Sequence, residues 1–97
     1  MAELTNLETF VAAVKAGSFA GAARLLGISP AMVGRRIQAL EEDHGARLIE
    51  RTTRAQRLTE LGESFFAQAE TVLEAVAELD DLTRTETGKL SGRIRAT

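Results

Sequence analysis

The stretch Ser18-Phe19-Ala20-Gly21-Ala22-Ala23-Arg24-Leu25-Leu26-Gly27-Ile28-Ser29-Pro30-Ala31-Met32-Val33-Gly34-Arg35-Arg36-Ile37-Gln38-Ala39-Leu40 decides the fold. Ser18 is suited to cap a short helix in which Phe19, Ala22, Ala23 and Leu26 share one face, and Gly27 stops it. The small Ala side chains allow a neighbouring helix to cross closely. After Ile28, Ser29 is a good N-cap, and Pro30 fits the first helical position, where its missing N–H costs nothing. The next helix has an apolar stripe of Val33, Ile37 and Leu40, with Ala31, Gly34, Arg35, Gln38 and Glu42 opposite and Arg36 on a flank. Two helices, a tight Gly27-Ile28-Ser29 turn and a cationic outer face make a helix-turn-helix pattern.

Upstream, Thr5 and Glu8 have capping-box spacing, and Leu4, Leu7, Phe10, Val11 and Val14 recur at helical intervals until Gly17. Downstream, the helix should end near His44-Gly45. The strand-like runs 48–51 and 56–59, split by Thr52-Thr53-Arg54-Ala55, then suit a small hairpin. Thr59 caps a long helix expected to run to about Thr85. Along it Phe65, Ala69, Val72, Val76 and Leu79 alternate in steps of four and three, a coiled-coil seam, while Phe66, Leu73 and Ala77 begin a second stripe. Leu61, Phe65 and Phe66 are expected to pack on the first three helices, and the distal seam then needs a second chain. Gly88, Ser91 and Gly92 make 87–97 read as a hinge.

A chain of 97 residues allows one compact domain with an extended element attached. No Cys is present, which excludes disulfides and thiolate metal sites, and the lone His44 suits a helix C-terminal cap better than a ligand or catalytic base. No Gly-rich phosphate loop occurs, so neither an enzyme nor a cofactor is expected. The N-terminus lacks the basic and apolar signature of a secretory signal, and no apolar run approaches the ~20 residues of a membrane span. A cytoplasmic protein without a membrane partner is the expectation.

The net charge of −2 conceals a strong asymmetry. Residues 24–57 carry seven Arg against four acidic residues, a balance of +3, whereas 58–97 carries −4. Taken alone, such a segment reads as a solvated charged face. Beside a helix-turn-helix it reads differently: Arg51 and Arg54 flank a two-stranded loop resembling a wing, placed to enter a minor groove or grip phosphates while the preceding helix lies in the major groove. The rival class is a helical oligomerisation or protein-interaction module without DNA binding, motivated by the acidic total and the long apolar seam.

Gly17-Ser18-Phe19, Ala22-Ala23, Leu25-Leu26-Gly27-Ile28-Ser29, Arg36-Ile37-Gln38-Ala39-Leu40-Glu41, Gly45-Ala46-Arg47-Leu48, Glu50-Arg51-Thr52-Thr53-Arg54 and Leu58-Thr59-Glu60-Leu61-Gly62 follow one another in an order and spacing that resembles the N-terminal region of LysR-type transcriptional regulators. The resemblance spans roughly residues 4–86. It implies a mainly α fold: a winged helix-turn-helix of three helices and a two-stranded wing, followed by a long dimerisation and linker helix. The expected division is 1–59 for the DNA-binding domain, 60–86 for the linker helix and 87–97 for a hinge leading to an absent effector-binding domain.

The same resemblance implies a bacterial regulator that binds a dyad-symmetric operator in double-stranded DNA as a homodimer, its linker helices antiparallel. A higher oligomer belongs to the full-length protein, and a small-molecule effector would act only through the absent domain. The family's DNA-reading positions fall on Ser29, Pro30, Ala31, Met32, Gly34, Arg35, Arg36 and Gln38, on Arg51, Thr53 and Arg54 of the wing, and on Ser18 and Phe19, whose backbone N–H groups would face a phosphate. Phe65, Ala69, Val72, Val76 and Leu79 would form the dimer interface. Pro30 and Gly34 depart from the family, which commonly has Gln and a hydroxyl residue there. Direct readout therefore shifts toward Arg35, with Pro30, Ala31 and Met32 offering apolar contact to thymine methyls and Arg36 holding phosphate.

Overall fold

The computed structural model describes residues 2–51 and 56–93. The element order is α1 (Ala2–Ala16), α2 (Phe19–Leu26), α3 (Pro30–His44), β1 (Ile49–Arg51), β2 (Gln56–Leu58) and α4 (Glu60–Arg93). The fold is mainly α, with a two-stranded antiparallel sheet whose register pairs Ile49 with Leu58, Glu50 with Arg57 and Arg51 with Gln56.

The apolar stripes expected from periodicity meet in one core. Val33, Ile37 and Leu40 of α3 are buried with Phe10, Val11 and Ala13 of α1, Ala22 and Ala23 of α2, Leu48, Ile49 and Ala69. Full burial of each large side chain is worth about 1.5–3 kcal/mol, so this cluster orients all three helices. Phe10 lies at its centre, meeting Phe65 edge-on at a centroid distance of 5.6 Å and Phe66 at 6.4 Å. Leu26 is more than a third exposed, and Gly21, Ala22 and Ala23 are the buried residues of α2.

Two boundaries and one packing position differ from the expected ones. Helix α1 begins at Ala2 rather than after Thr5, because 2–4 are good helix formers and Leu4 extends the stripe. Leu61 is 52% exposed instead of packing on the body; Gly62, next to it, is the residue turned inward, and any side chain there would overlap the Leu48 carbonyl oxygen. Helix α4 continues through Gly88, Ser91 and Gly92 to Arg93, well past Thr85. An isolated glycine costs a helix about 1 kcal/mol relative to Ala but leaves its hydrogen bonds intact, and no Pro intervenes. At 1.5 Å per residue, α4 is about 50 Å long. No helix among the described residues is long and apolar enough to cross a membrane.

Polar contacts fix the sheet and α4 to the bundle. The Glu41 carboxylate, on the last turns of α3, accepts from the backbone N–H groups of Leu48 at 2.8 Å and Ile49 at 3.1 Å. The Thr59 hydroxyl donates to the Arg47 carbonyl at 2.8 Å and accepts from the Gly62 N–H at 2.9 Å, joining the strand to the first turn of α4. The Gln56 side-chain amide reaches the Ala13 carbonyl at 3.1 Å, and Lys15 pairs with Glu70 at 3.1 Å. Glu41→Ala should leave the Leu48 and Ile49 N–H groups without their acceptor, at a cost of about 1–3 kcal/mol. The expected result is a lower melting temperature by circular dichroism; an unchanged one would show that water replaces the carboxylate.

Candidate nucleic-acid interface

The turn between α2 and α3 is built by local chemistry. Ser18 caps α2, its hydroxyl oxygen accepting from the Gly21 N–H at 2.9 Å. Gly27 closes the helix at φ 70°, a left-handed conformation that favours glycine, and Ile28 N–H returns to the Ala23 carbonyl at 3.1 Å. Ser29 then caps α3 by accepting from the Met32 N–H at 3.1 Å, with Pro30 in the first helical turn. These contacts leave the beginning of α3 projecting from the body.

On α3, Pro30, Ala31, Arg35 and Gln38 are exposed, while Met32 and Gly34 are half-buried. A methyl group on Gly34 would lie 3.6 Å from the Phe19 ring, so these two residues adjoin at the α2–α3 crossing. Gln38 donates to Glu42 at 3.5 Å, a weak contact at the outer limit of hydrogen bonding. Among the described residues Arg35 has no carboxylate partner, and Arg24, Arg47 and Arg57 likewise stand exposed without one. Glu41, the nearest acidic residue on α3 before Arg47, is engaged by the backbone of Leu48 and Ile49. On the outer side of α3 the Arg35 charge is therefore uncompensated among the described residues.

Arg36 occupies the flank of α3 toward α1. It is half-buried, and its Nη1 donates to the Thr9 hydroxyl oxygen at 3.4 Å. Periodicity gives no sign of this contact, which joins positions far apart in sequence. Arg51 is the last residue of β1, and its side chain lies outside the described residues, as do Thr53 and Arg54 entirely.

The expected dimer seam divides into two parts. Phe65 and Ala69 pack on the chain's own body, where Ala69 is 2% exposed and Phe65 also meets the His44 ring edge-on at 5.0 Å. Val76 is half-buried, whereas Val72 and Leu79 are exposed, as is Leu82, which the seam did not include. An open groove of about 300 Å³, lined in part by Leu4, Leu7, Leu40 and Val72, continues this apolar strip back to the body. His44 stands at its edge, and no group of His, Asp or Glu fit to hold a metal occurs among the described residues.

A three-helix body with a two-stranded wing and a projecting α3 defines the winged helix-turn-helix class. The sequence model of bacterial regulatory helix-turn-helix proteins of the lysR family matches residues 4–63, and the chain belongs to that family. An HTH-type transcriptional repressor of Pseudomonas aeruginosa is 42% identical over 95 residues, covering 98% of this chain and 30% of the relative. PtxR, an HTH-type transcriptional regulator of the same species, is 40% identical over 97% of this chain and 30% of its own length. The chain thus spans less than a third of these relatives. Among solved structures, a CbnR DBD–DNA complex superposes with a TM-score of 0.79 at 36% identity, covering 87% of this chain and 97% of the other. A BenM DBD–catB site 1 DNA complex gives 0.82 at 36% identity, covering 87% and 94%.

Proposed function

We propose that this chain is the DNA-binding and linker portion of a bacterial transcriptional regulator, acting in the cytoplasm on double-stranded DNA and without enzymatic activity. The observation that carries this reading is the outer face of α3, where exposed Arg35 lies beside Pro30, Ala31 and Gln38 and has no carboxylate partner among the described residues. The same fold occurs in the DNA complexes of the CbnR and BenM DBDs, at 36% identity. An α-helix fits the major groove, and Arg offers a bidentate donor pair to guanine. In this reading Arg35 reads a base, Pro30 and Ala31 lie against thymine methyls, and Ser18 and Phe19 present backbone N–H groups to a phosphate. The wing residues Arg51, Thr53 and Arg54 lie along the adjacent minor groove.

The active unit in this reading is a homodimer. Val72, Leu79 and Leu82 are exposed apolar residues on α4, and antiparallel pairing with a second α4 would cover them. A dimer presents two α3 helices to a dyad-symmetric site, one turn or a whole number of turns apart. Residues 60–86 then serve as the dimer arm, and the remaining two thirds of such a regulator would hold the effector site and build any higher oligomer.

Two measurements test these assignments. Fluorescence anisotropy against duplexes recovered from a random pool should show binding that weakens steeply with salt, because Arg–phosphate contacts release counterions. Arg35→Ala should cost about 1–3 kcal/mol and relax preference at one base position. Salt-insensitive association without retained DNA would instead indicate a protein-interaction module. For the arm, Val72→Glu with Leu79→Glu should convert a dimer to a folded monomer in analytical ultracentrifugation; a persistent dimer would place the interface elsewhere.

A further inference from the structure

Thr9 is the single polar side chain fully buried among the described residues, at 0% exposure. Its hydroxyl donates its one proton to the Thr5 carbonyl at 2.9 Å, the backbone acceptor one turn earlier. Only acceptor capacity remains, and it is directed across the helix crossing to Arg36 Nη1 at 3.4 Å, a long hydrogen bond that steers more than it binds. Arg36 is a permanent cation, half-buried and without a carboxylate partner among the described residues. A neutral hydroxyl orients the guanidinium without neutralising it. The planar fork has five N–H donors, so this one contact leaves several for an acceptor outside the chain.

The direction of that outward side follows from helix geometry. Successive residues are turned by about 100°, so Arg36 lies about 100° around α3 from Arg35. If the Arg35 face meets base edges, the Arg36 flank meets a wall of the major groove, which is made of phosphates. We propose that Thr9 is a positioning residue for DNA binding: buried in α1, it holds the Arg36 guanidinium so that its free N–H groups grip a backbone phosphate beside the recognition helix. This rests on the DNA-binding reading and adds to it a residue of α1 that is itself buried and touches no DNA. The contact supplies affinity and register and carries no base preference.

Thr9→Val removes the acceptor while keeping the side-chain shape, and Thr9→Ser restores the hydroxyl. Each is compared with Arg36→Met, and with the Thr9→Val/Arg36→Met pair, by titration of the 97-residue chain against a selected duplex and an unrelated one at several salt concentrations. Arg36→Met should weaken both duplexes by similar factors, on the order of tenfold, and lower the salt slope by about one for each Arg36 in the complex. Thr9→Val should reproduce part of both effects, Thr9→Ser should bind like the parent, and Thr9→Val should add nothing once Arg36 is gone. A Thr9→Val protein with a lower melting temperature but unaltered affinity and slope would overturn the proposal, leaving Thr9 as a clasp between α1 and α3. Losses that simply add in the double variant would overturn it as well. Failure of the parent chain to bind any duplex at low salt would remove the DNA-binding reading itself, and the proposal with it.

Discussion

Burial of Val33, Ile37 and Leu40 against Phe10 and Ala13 decides which side of α3 is left over. A helix has one face to give to its core, and once that stripe is committed to α1 the opposite face is committed to solvent or to a partner. Arg35 is exposed because of this packing, and its own preferences have little part in it. The same commitment places Arg36 on the flank, where Thr9 of α1 meets it. A reading of α3 as a recognition helix is therefore a statement about the core as much as about the surface.

The remaining elements are attached to that core by few but strategically placed polar contacts. Glu41 ties the end of α3 to β1, Gln56 ties β2 to the end of α1, and Thr59 passes the chain into α4. The strands are thereby tied to both α1 and α3, and Lys15 pairs with Glu70 between α1 and α4. This surface pair is worth little in stability. Its interest lies in direction, since a long helix amplifies a small change of tilt at its base. The charge asymmetry follows the same layout. The Arg-rich segment covers α3 and the wing, while Glu74, Glu78, Asp80 and Asp81 lie on α4, on an arm that would repel DNA.

Much of this was legible in the sequence because it is local. Ser18, Gly27, Ser29, Pro30, Gly45 and Thr59 act within a few residues of themselves, and all occupy the cap or turn positions their chemistry suggests. The α3 stripe was legible for the same reason, as its spacing repeats the helix period. What could not be read joins distant positions, Thr9 to Arg36 and Gln56 to Ala13, or passes through a loop whose path the helix period does not give, as from Glu41 to the Leu48 backbone. Leu61 misled because Gly62, next to it, takes the inward position, where the Leu48 carbonyl leaves no room for a side chain. The end of α4 misled because Gly88 and Gly92 weaken a helix without ending it. Of the candidate DNA contacts, those on α2 and α3 were brought together around one projecting helix, while Thr53 and Arg54 lie outside the described residues.

The claim on which the account rests is that the beginning of α3 enters the major groove. The chain contains no Cys, so Ala31→Cys provides a single attachment point for an iron–EDTA cleavage reagent on the exposed face of α3. On a selected duplex, cutting should occur at two dyad-related positions with the strand offset of a major-groove source, separated by about 34–36 Å or a multiple of it. Diffuse cutting, or localised cutting only when the reagent is moved to a Leu79→Cys variant on the arm, would contradict the account.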